Sequence, residues 1–436
     1  MSSDSNTLFD RRSFVKSLLG GVAGGALGLA ALNETLAASG ATPMSLPPMV
    51  DPDEKFWQIV RQQFLLTTEK IYMNTGGLGP SPRVVVDTLF KTTLQLEEMG
   101  EHEHHLVYDV NKKAAKLLGA APEEIALTRN TTEGMNIVAR GLLLKKGDEV
   151  LMSTHEHVGG AIPWLALAND IGVKVKLFEP GMTQKENLDI IKKHLTRKTR
   201  VLSISHIPCT VGLVFPVNEL THICRENNIF YVLDGAHPPG MIPVNLHEIG
   251  CDFYASSGHK WLLGPKGTGI LYVRKEMFEQ WRPTYVGAYS GGEYDLDKTL
   301  FTHKHEANAT EYGTRNTALS LALGAAIDFI DTIGQELIAE RGKAMASYFM
   351  REVQKMQDDV KILTPTEDAS RASIVTIKPK NISYSKLQGK ITQEGNIRLR
   401  GVGEHHIDGI RCSFHVFNNF EEVDKLLFYI RKFAKA

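Results

Sequence analysis

The sequence predicts an α/β fold, in which a larger domain built on a mostly parallel sheet precedes a smaller C-terminal α+β domain. Short apolar runs alternate with amphipathic segments between residues 125 and 273, which is the order expected when helices connect parallel strands. After about Thr317 the pattern changes to two long helical segments followed by short strands. We therefore expect the larger domain at residues 71–316 and the smaller one at residues 317–436.

The predicted elements follow from apolar periodicity and from turn residues between the segments. In the larger domain we expect strands at residues 125–128, 149–153, 173–178, 200–206, 229–234, 253–256 and 269–273, and helices at 83–99, 133–144, 162–170, 188–195 and 217–227. In the smaller domain we expect helices at 318–333, at 336–357 and from 421 onward, and strands at 373–377, 397–400 and 410–414. Ligands of parallel sheets bind at the carboxyl ends of the strands, so the residues there are the first candidates for a site.

Composition narrows the classes of protein that need to be considered. The 436 residues carry a formal net charge of −1, and 42% of them are hydrophobic, which is typical of a globular protein with a large core. A near-neutral chain is not expected to bind nucleic acid as its main partner. The four cysteines form no CxxC pair, so a zinc knuckle or a disulfide framework has little support.

Residues 1–38 have the order of an export signal. A basic segment with Arg11-Arg12 precedes an uncharged run at residues 18–32, and small residues follow it. The run is shorter than the ~20 residues that a membrane-spanning helix needs. The paired arginines resemble a twin-arginine signal, whereas the alternative is a disordered tail with a chance Arg-Arg.

From this segment we expect export by the twin-arginine machinery and a periplasmic or secreted protein. The mature chain is expected to have no stable membrane insertion. Residues 39–70 contain several prolines and read as an N-terminal arm or linker.

Lys260 is the strongest candidate for a reactive group. It lies in the string Ser-Ser-Gly-His-Lys-Trp at residues 256–261, directly after a predicted strand. A lysine among small and hydroxyl residues can act as an amine nucleophile toward a carbonyl. Ser257 and His259 offer hydrogen-bond donors to a phosphate, although such a string can also be an ordinary surface loop.

Asp234 ends a predicted buried strand 26 residues before Lys260. A buried carboxylate is costly without a cationic partner. The protonated ring nitrogen of pyridoxal 5'-phosphate (PLP) would be such a partner, and an aspartate there strengthens the cofactor as an electron sink. The alternative is an aspartate that caps the following helix.

Two further segments offer threonines at predicted anion sites. Thr131 and Thr132 lie between a strand and a helix, where backbone N–H groups bind anions, although a plain N-cap is equally consistent. Gly313-Thr314 offers a second site of this kind.

His157 ends the string His155-Glu156-His157 after a predicted strand, and its imidazole could stack on an aromatic cofactor. A metal site is disfavoured because the spacing is not HExxH and no third ligand lies nearby. Arg411 lies in an apolar strand and could bind a carboxylate bidentately or form a structural salt bridge.

Together these strings resemble the class V aminotransferase family of fold type I PLP enzymes over about residues 70–430. The resemblance is most specific at residues 234–240 and 257–261, and it is greatest to isopenicillin N epimerase-like and cysteine desulfurase/selenocysteine lyase-like members. It implies PLP as cofactor, an amino acid as substrate and a homodimer.

The resemblance also implies a role for each candidate residue. Lys260 would form the Schiff base (internal aldimine) with the cofactor, Asp234 would pair with the pyridine nitrogen, and Arg411 would hold the substrate carboxylate. His237 would contact the phenolic oxygen and His157 would stack on the ring. The phosphate would be bound by Thr132, Ser257 and His259, with Thr131 beside them, and by Gly313 and Thr314 from the other subunit.

One departure from the family pattern bears on the reaction. Cysteine desulfurases carry a reactive cysteine in a loop before the carboxylate-binding arginine, whereas residues 401–409 contain no cysteine. Cys412 follows Arg411 and should point to the opposite face of the strand. We therefore expect a PLP enzyme acting at Cα or Cβ of an amino acid, of the epimerase or C–S lyase type. The alternatives are a class V aminotransferase proper, and an exported binding protein of this fold that lost catalysis.

Overall fold

The computed structural model describes residues 53–435. The fold is built on a large central sheet whose strands come from residues 125–273. In chain order the helices are α1 (Glu54–Gln62), α2 (Arg83–Met99), α3 (Val107–Leu118), α4 (Thr131–Gly141), α5 (Val158–Ile171), α6 (Gln184–His194), α7 (Val217–Glu226), α8 (Leu246–Ile249), α9 (Thr317–Ile333), α10 (Gln335–Gln354), α11 (Tyr384–Gly395) and α12 (Phe420–Phe433). The strands are β1 (Ile71–Tyr72), β2 (Ile125–Thr128), β3 (Glu149–Ser153), β4 (Lys174–Phe178), β5 (Thr199–Ser205), β6 (Phe230–Asp234), β7 (Phe253–Ser257), β8 (Gly269–Val273), β9 (Gly291–Asp295), β10 (Leu300–His303), β11 (Val360–Ile362), β12 (Ile374–Pro379), β13 (Ile397–Arg398), β14 (Arg400–Val402) and β15 (Gly409–Ser413).

Seven strands form the central sheet in the order β2-β8-β7-β6-β5-β3-β4. Within this sheet β8 pairs antiparallel with both of its neighbours, and the other pairings are parallel. The predicted mostly parallel α/β sheet is confirmed. All residues of β3, β7 and β8 are buried, as expected when helices cover both faces of a sheet.

The amino ends of three helices lie more than one residue before their predicted starts. Helix α4 begins at Thr131 because Asn130 caps it, with its side chain accepting from the N–H of Glu133 at 2.9 Å. Helix α5 begins at Val158 because His157 caps it, and it continues through Pro163 in its second turn. The predicted starts were Glu133 and a position near Ile162. Helix α6 likewise begins at Gln184, behind the N-cap Thr183, and not at residue 188.

The C-terminal part contains a four-stranded antiparallel sheet in the order β11-β12-β15-β14. Helices α10, α11 and α12 pack against it around a core that includes Phe349, Leu387, Phe414 and Leu426. The single strand expected at residues 397–400 is wrong, because β13 pairs with β1 and β14 pairs with β15. The chain changes sheets at Leu399.

Helix α1 lies inside the segment predicted as an arm or linker at residues 39–70. It buries Phe56, Trp57 and Val60 along one face, and it is tied to distant parts of the chain by ion pairs. Glu54 pairs with Arg341, and Arg61 pairs with Glu422. The predicted signal at residues 1–38 lies outside the described residues.

Within residues 53–435, no single helix has the length and apolar composition of a membrane span. The bent pair α9–α10 meets those two criteria only when its members are taken together.

Candidate active site

The carboxyl ends of β2, β7, β6, β5 and β3 bring most of the candidate residues to one edge of the sheet. Asp234 ends β6, and it lies in register with Ser205 of β5 on one side and Ala255 of β7 on the other. The segments that follow β2, β3 and β7 carry Thr131, His157 and Lys260. Parallel strands place these loops at a common edge, so residues far apart in sequence meet there.

Lys260 and His237 form the centre of this site. Lys260 Nζ lies 3.4 Å from His237 Nε2, and the indole N–H of Trp261 donates to His237 Nδ1 at 3.1 Å. Since Nδ1 accepts that bond, the neutral imidazole carries its proton on Nε2, facing the lysine. Burial, with the Lys260 charge, keeps the pKa of His237 well below its ordinary value, so the ring is neutral.

The Lys260 amine is poised to lose its proton. Burial lowers its pKa, and the charge of Asp234 opposes that effect. Arg411 and Arg400 act in the same direction as burial. A neutral amine is the form that can attack a carbonyl or accept a proton.

Asp234 is a buried carboxylate without a cation in contact. Its Oδ1 accepts from the N–H of Ala236 at 2.9 Å, and within residues 53–435 no lysine, arginine or histidine nitrogen lies within 4.0 Å of it. Burial raises its pKa, and Lys260 opposes that effect. The helix-cap alternative is wrong, because no helix begins next to this residue. A Cβ on Gly160 would lie 2.9 Å from Oδ2, so glycine keeps space open beside the carboxylate.

An anion cup lies between the ends of β2 and β7. The hydroxyls of Thr131 and Ser257 lie 2.7 Å apart, and Thr131 is the first residue of α4, where the helix dipole favours a negative charge. His259 Nδ1 is buried without a partner in the described part of the chain. Thr132 is exposed at the same helix end. Hydroxyls, an unpartnered imidazole nitrogen and a helix N-terminus fit a phosphate group.

The three residues of the string His155-Glu156-His157 lie in three different environments. His157 Nδ1 accepts from the N–H of Gly159 at 3.0 Å. Burial and the Lys260 charge lower the pKa of His157 to about 4, so the ring is neutral and suited to stacking.

The other two residues of the string point elsewhere. Glu156 accepts from the hydroxyls of Ser153 and Ser205 at 2.5 and 2.6 Å, and burial raises its pKa to about 7. His155 contacts Thr210 at 3.0 Å. No group of three or more metal-ligating side chains occurs among the described residues.

Arg411 is fully buried on β15 and has no carboxylate partner among residues 53–435. Its Nη1 donates to the Cys209 carbonyl at 2.8 Å and its Nη2 to Asn74 Oδ1 at 3.1 Å. Its Nε is buried without a partner within the described chain. Burial lowers its pKa to about 10. The salt-bridge alternative is therefore wrong, and the guanidinium is a buried charge that lacks an anion. Cys412 points into the apolar core on the opposite face, as predicted.

Several residues of the site had not been identified from the sequence. Trp261 sets the tautomer of His237. The Cys209 carbonyl accepts a hydrogen bond from Arg411. Glu156 lies near Asp234. Arg400 lies opposite Arg411 on β14. Its only sequence signal was a second arginine in a short apolar strand. The other contacts depend on long-range register, which local patterns do not specify.

Gly313 and Thr314 form no side-chain hydrogen bond with Lys260, Asp234 or His237 within residues 53–435. Thr314 lines a cavity of about 410 Å³ together with Thr128, Arg129 and Leu319. Neither Lys260 nor Asp234 lines that cavity. A role for the pair at the cofactor therefore stays a prediction that depends on a second subunit.

The loop that bears the reactive cysteine in desulfurases has no thiol here. It follows β14 and contains a short turn at Glu404–His406. Its residues His405, His406 and Asp408 have φ values of 55°, 57° and 52°. All four cysteines of the chain are buried and unpaired.

Comparison with known proteins agrees with this geometry. A probable cysteine desulfurase of Pyrococcus abyssi is 27% identical over 398 residues, covering 86% of this chain and 97% of that protein. The isopenicillin N epimerase of Streptomyces clavuligerus is 29% identical, covering 85% and 96%.

Two solved structures of the cystine C–S lyase C-DES are similar in fold, each at 27% identity. One is a lysine variant with glycine covalently linked to the PLP cofactor, with a TM-score of 0.77 and coverage of 87% of this chain and 98% of that one. The other is a complex with the product cysteine persulfide, with a TM-score of 0.76 and coverage of 83% and 97%.

The family model of class V aminotransferases matches residues 90–426, a range that contains Lys260, Asp234, Arg411 and the anion cup. The chain belongs to the class V aminotransferase family.

Proposed function

We propose that this protein is an amino-acid epimerase or C–S lyase that acts at Cα or Cβ of its substrate. The cofactor is pyridoxal 5'-phosphate, as in the C-DES structure. The observation that carries the proposal is that the unpaired Arg411 of β15 faces Lys260 and Asp234 at the edge of the central sheet, beside a loop without a thiol. Relatives of this chain are named for both kinds of chemistry.

The residues present fit the cofactor group by group. Lys260 would hold it covalently, Asp234 would pair with the ring nitrogen, and His157 would cover the ring. Thr131, Thr132, Ser257 and His259 would bind the phosphate. When bound, the cofactor withdraws electrons from the substrate Cα.

The side chains of this protein supply orientation and proton transfer. Arg411 holds the substrate carboxylate, and so fixes which bond at Cα is turned toward the cofactor. Lys260 Nζ, made more acidic by burial, takes the proton from Cα as a neutral amine. His237 Nε2 lies 3.4 Å from that amine and positions it. Return of the proton to the other face of Cα gives epimerisation, whereas loss of a β-substituent gives elimination.

Transfer of sulfur to a loop cysteine is not part of this proposal. Residues 401–409 contain no cysteine, and Cys412 lies in the apolar core, where burial raises the pKa of its thiol well above the ordinary value. A thiol in that state is not a nucleophile. Elimination that releases the sulfur on the leaving group needs no such cysteine.

The decisive experiment is incubation of the purified protein with a panel of amino acids in heavy water. Deuterium at Cα with inverted chirality identifies an epimerase, and a keto acid with a released thiol identifies a lyase. A keto acid formed only with an amino acceptor identifies an aminotransferase and refutes the proposal. No exchange with any amino acid, or a protein that carries no bound cofactor, refutes it as well.

We also propose that the protein works as a homodimer. Thr314 lines a cavity that neither Lys260 nor Asp234 lines in its own chain. The β9–β10 hairpin presents exposed apolar side chains, including Tyr294, Leu296 and Phe301, and such patches mark interaction surfaces. Light scattering of the purified protein tests this, because a monomeric mass would contradict it.

Export is a further part of the proposal. The twin-arginine pattern at Arg11-Arg12 supports a periplasmic or secreted location, since that route carries folded, cofactor-loaded proteins.

A further inference from the structure

The candidate site contains a second guanidinium group beside the one assigned to the substrate carboxylate. Arg400 of β14 lies directly opposite Arg411 of β15. Their Nη1 atoms both donate to the Cys209 carbonyl, at 3.3 and 2.8 Å. Both charges lower the pKa of Lys260 and of His157, so both guanidinium groups belong to the same site.

Within the described chain, only one carboxylate forms an ion pair with either of these two guanidinium groups. Glu404 Oε1 lies 2.5 Å from Arg400 Nη2, whereas Arg411 has no carboxylate within 4.0 Å. Deeper in the site, Asp234 and Lys260 carry charges of opposite sign that compensate each other. The Arg400, Arg411 and Glu404 group therefore has one uncompensated positive charge, which a single carboxylate of a ligand would neutralise.

The carboxylate of Glu404 is held in place by its loop. His405 and His406 have left-handed backbones, which are unfavourable for non-glycine residues and persist only where the surroundings fix them. The His405 ring stacks on His155, with centroids 6.2 Å apart. A Cβ on Gly403 would lie 2.4 Å from the Tyr384 hydroxyl, so the loop packs tightly against α11.

We propose that Glu404 is a specificity-determining residue that makes the site accept amino acids with one carboxylate and reject those with a second, side-chain carboxylate. Arg411 binds the α-carboxylate. Glu404 pairs with Arg400, the cation that would otherwise attract a second carboxylate of the substrate. A second carboxylate that approached Arg400 would meet the like charge of Glu404, and repulsion of this kind sets specificity. This inference rests on the proposed function, because Arg411 must hold the substrate carboxylate.

The test is a calorimetric titration of the purified protein with propionate and with succinate at low ionic strength. Wild-type protein is expected to bind propionate more tightly than succinate. Glu404→Gln should tighten succinate binding about tenfold, equivalent to about 1.4 kcal/mol, and leave propionate within about twofold. Glu404→Asp keeps the charge and should retain the wild-type preference. Glu404→Ser should reproduce the shift if the glutamine variant fails to fold.

Glu352 provides the matched control. It pairs with Arg431 at 2.9 Å and with Lys355 at the surface, so Glu352→Gln removes an arginine-paired carboxylate outside the site. It should leave both affinities unchanged.

Two outcomes separate failure of this inference from failure of the proposed function. An unchanged ratio of succinate to propionate affinity in Glu404→Gln, or an equal change in Glu352→Gln, overturns the role of Glu404 alone. Propionate binding that is absent in wild type, or that survives Arg411→Met, removes the carboxylate site itself and overturns both. Neither titration depends on turnover.

Discussion

Replacing Arg411 with methionine should weaken substrate binding strongly while leaving the unliganded fold at least as stable. The guanidinium is fully buried and receives no carboxylate. Its removal costs two hydrogen bonds to protein oxygens, about 1.5–3 kcal/mol each. The same change removes the desolvation penalty of a buried ion, which is several kcal/mol. Arg400 continues to donate to the Cys209 carbonyl. We therefore expect a change in the free energy of unfolding between zero and about 2 kcal/mol of stabilisation.

In contrast to this unchanged or higher stability, the catalytic efficiency of Arg411→Met should fall strongly. Loss of a bidentate charged contact to the carboxylate is expected to lower kcat/KM by about 100-fold or more, equivalent to about 3 kcal/mol. Urea unfolding of the unliganded protein and steady-state kinetics measure the two quantities separately. Both should be recorded on the same preparation.

Arg341 is the matched control for a structural arginine. It is also buried, but it pairs with Glu54 and lies between the rings of Trp57 and Phe420. Arg341→Met should therefore destabilise the fold by about 2–4 kcal/mol and leave the KM near its wild-type value. The reasoning about Arg411 is refuted if Arg411→Met destabilises as strongly as Arg341→Met, since its role would then be structural.

Three other predictions concern pH, the cofactor and export. The pKa of Glu156 is raised to about 7 in the fold, so its contribution to stability is present below its unfolded pKa and is lost as the pH rises through about 7. Glu156→Gln should flatten this decline by up to about 3 kcal/mol between pH 5 and 8, and urea unfolding across that range that parallels wild type would contradict it. Borohydride should fix the cofactor on Lys260, and a labelled peptide from elsewhere in the chain would exclude that residue as the attachment site. Changing Arg11-Arg12 to Lys-Lys should retain the precursor in the cytoplasm, whereas undiminished export, measured by cell fractionation, would remove the twin-arginine proposal.

The sequence was sufficient to predict the central sheet and the strand-end residues of the site. Each strand is a short apolar run, so its position is encoded locally, and parallel topology then brings Asp234, Lys260 and His157 to one edge. The family prediction is confirmed by the match over residues 90–426.

Features that depend on contacts between distant segments could not be predicted in the same way. The tautomer of His237 depends on Trp261, and the unpaired state of Arg411 depends on which groups surround it. The split of residues 397–400 between two sheets follows from pairing with β1, which lies more than 300 residues earlier. The starts of α4 and α5 were missed because Asn130 and His157 cap them ahead of the apolar residues.

The anchoring of α1 has a consequence for the order in which the protein can mature. This helix is synthesised early, yet its buried face and its ion pairs need Arg341 and the segment at residues 417–422. Because residues 417–422 are synthesised long after α1, this helix cannot complete its docking until most of the described chain has been made. A protein cut short before α12 would therefore lack the Arg61–Glu422 ion pair that anchors α1.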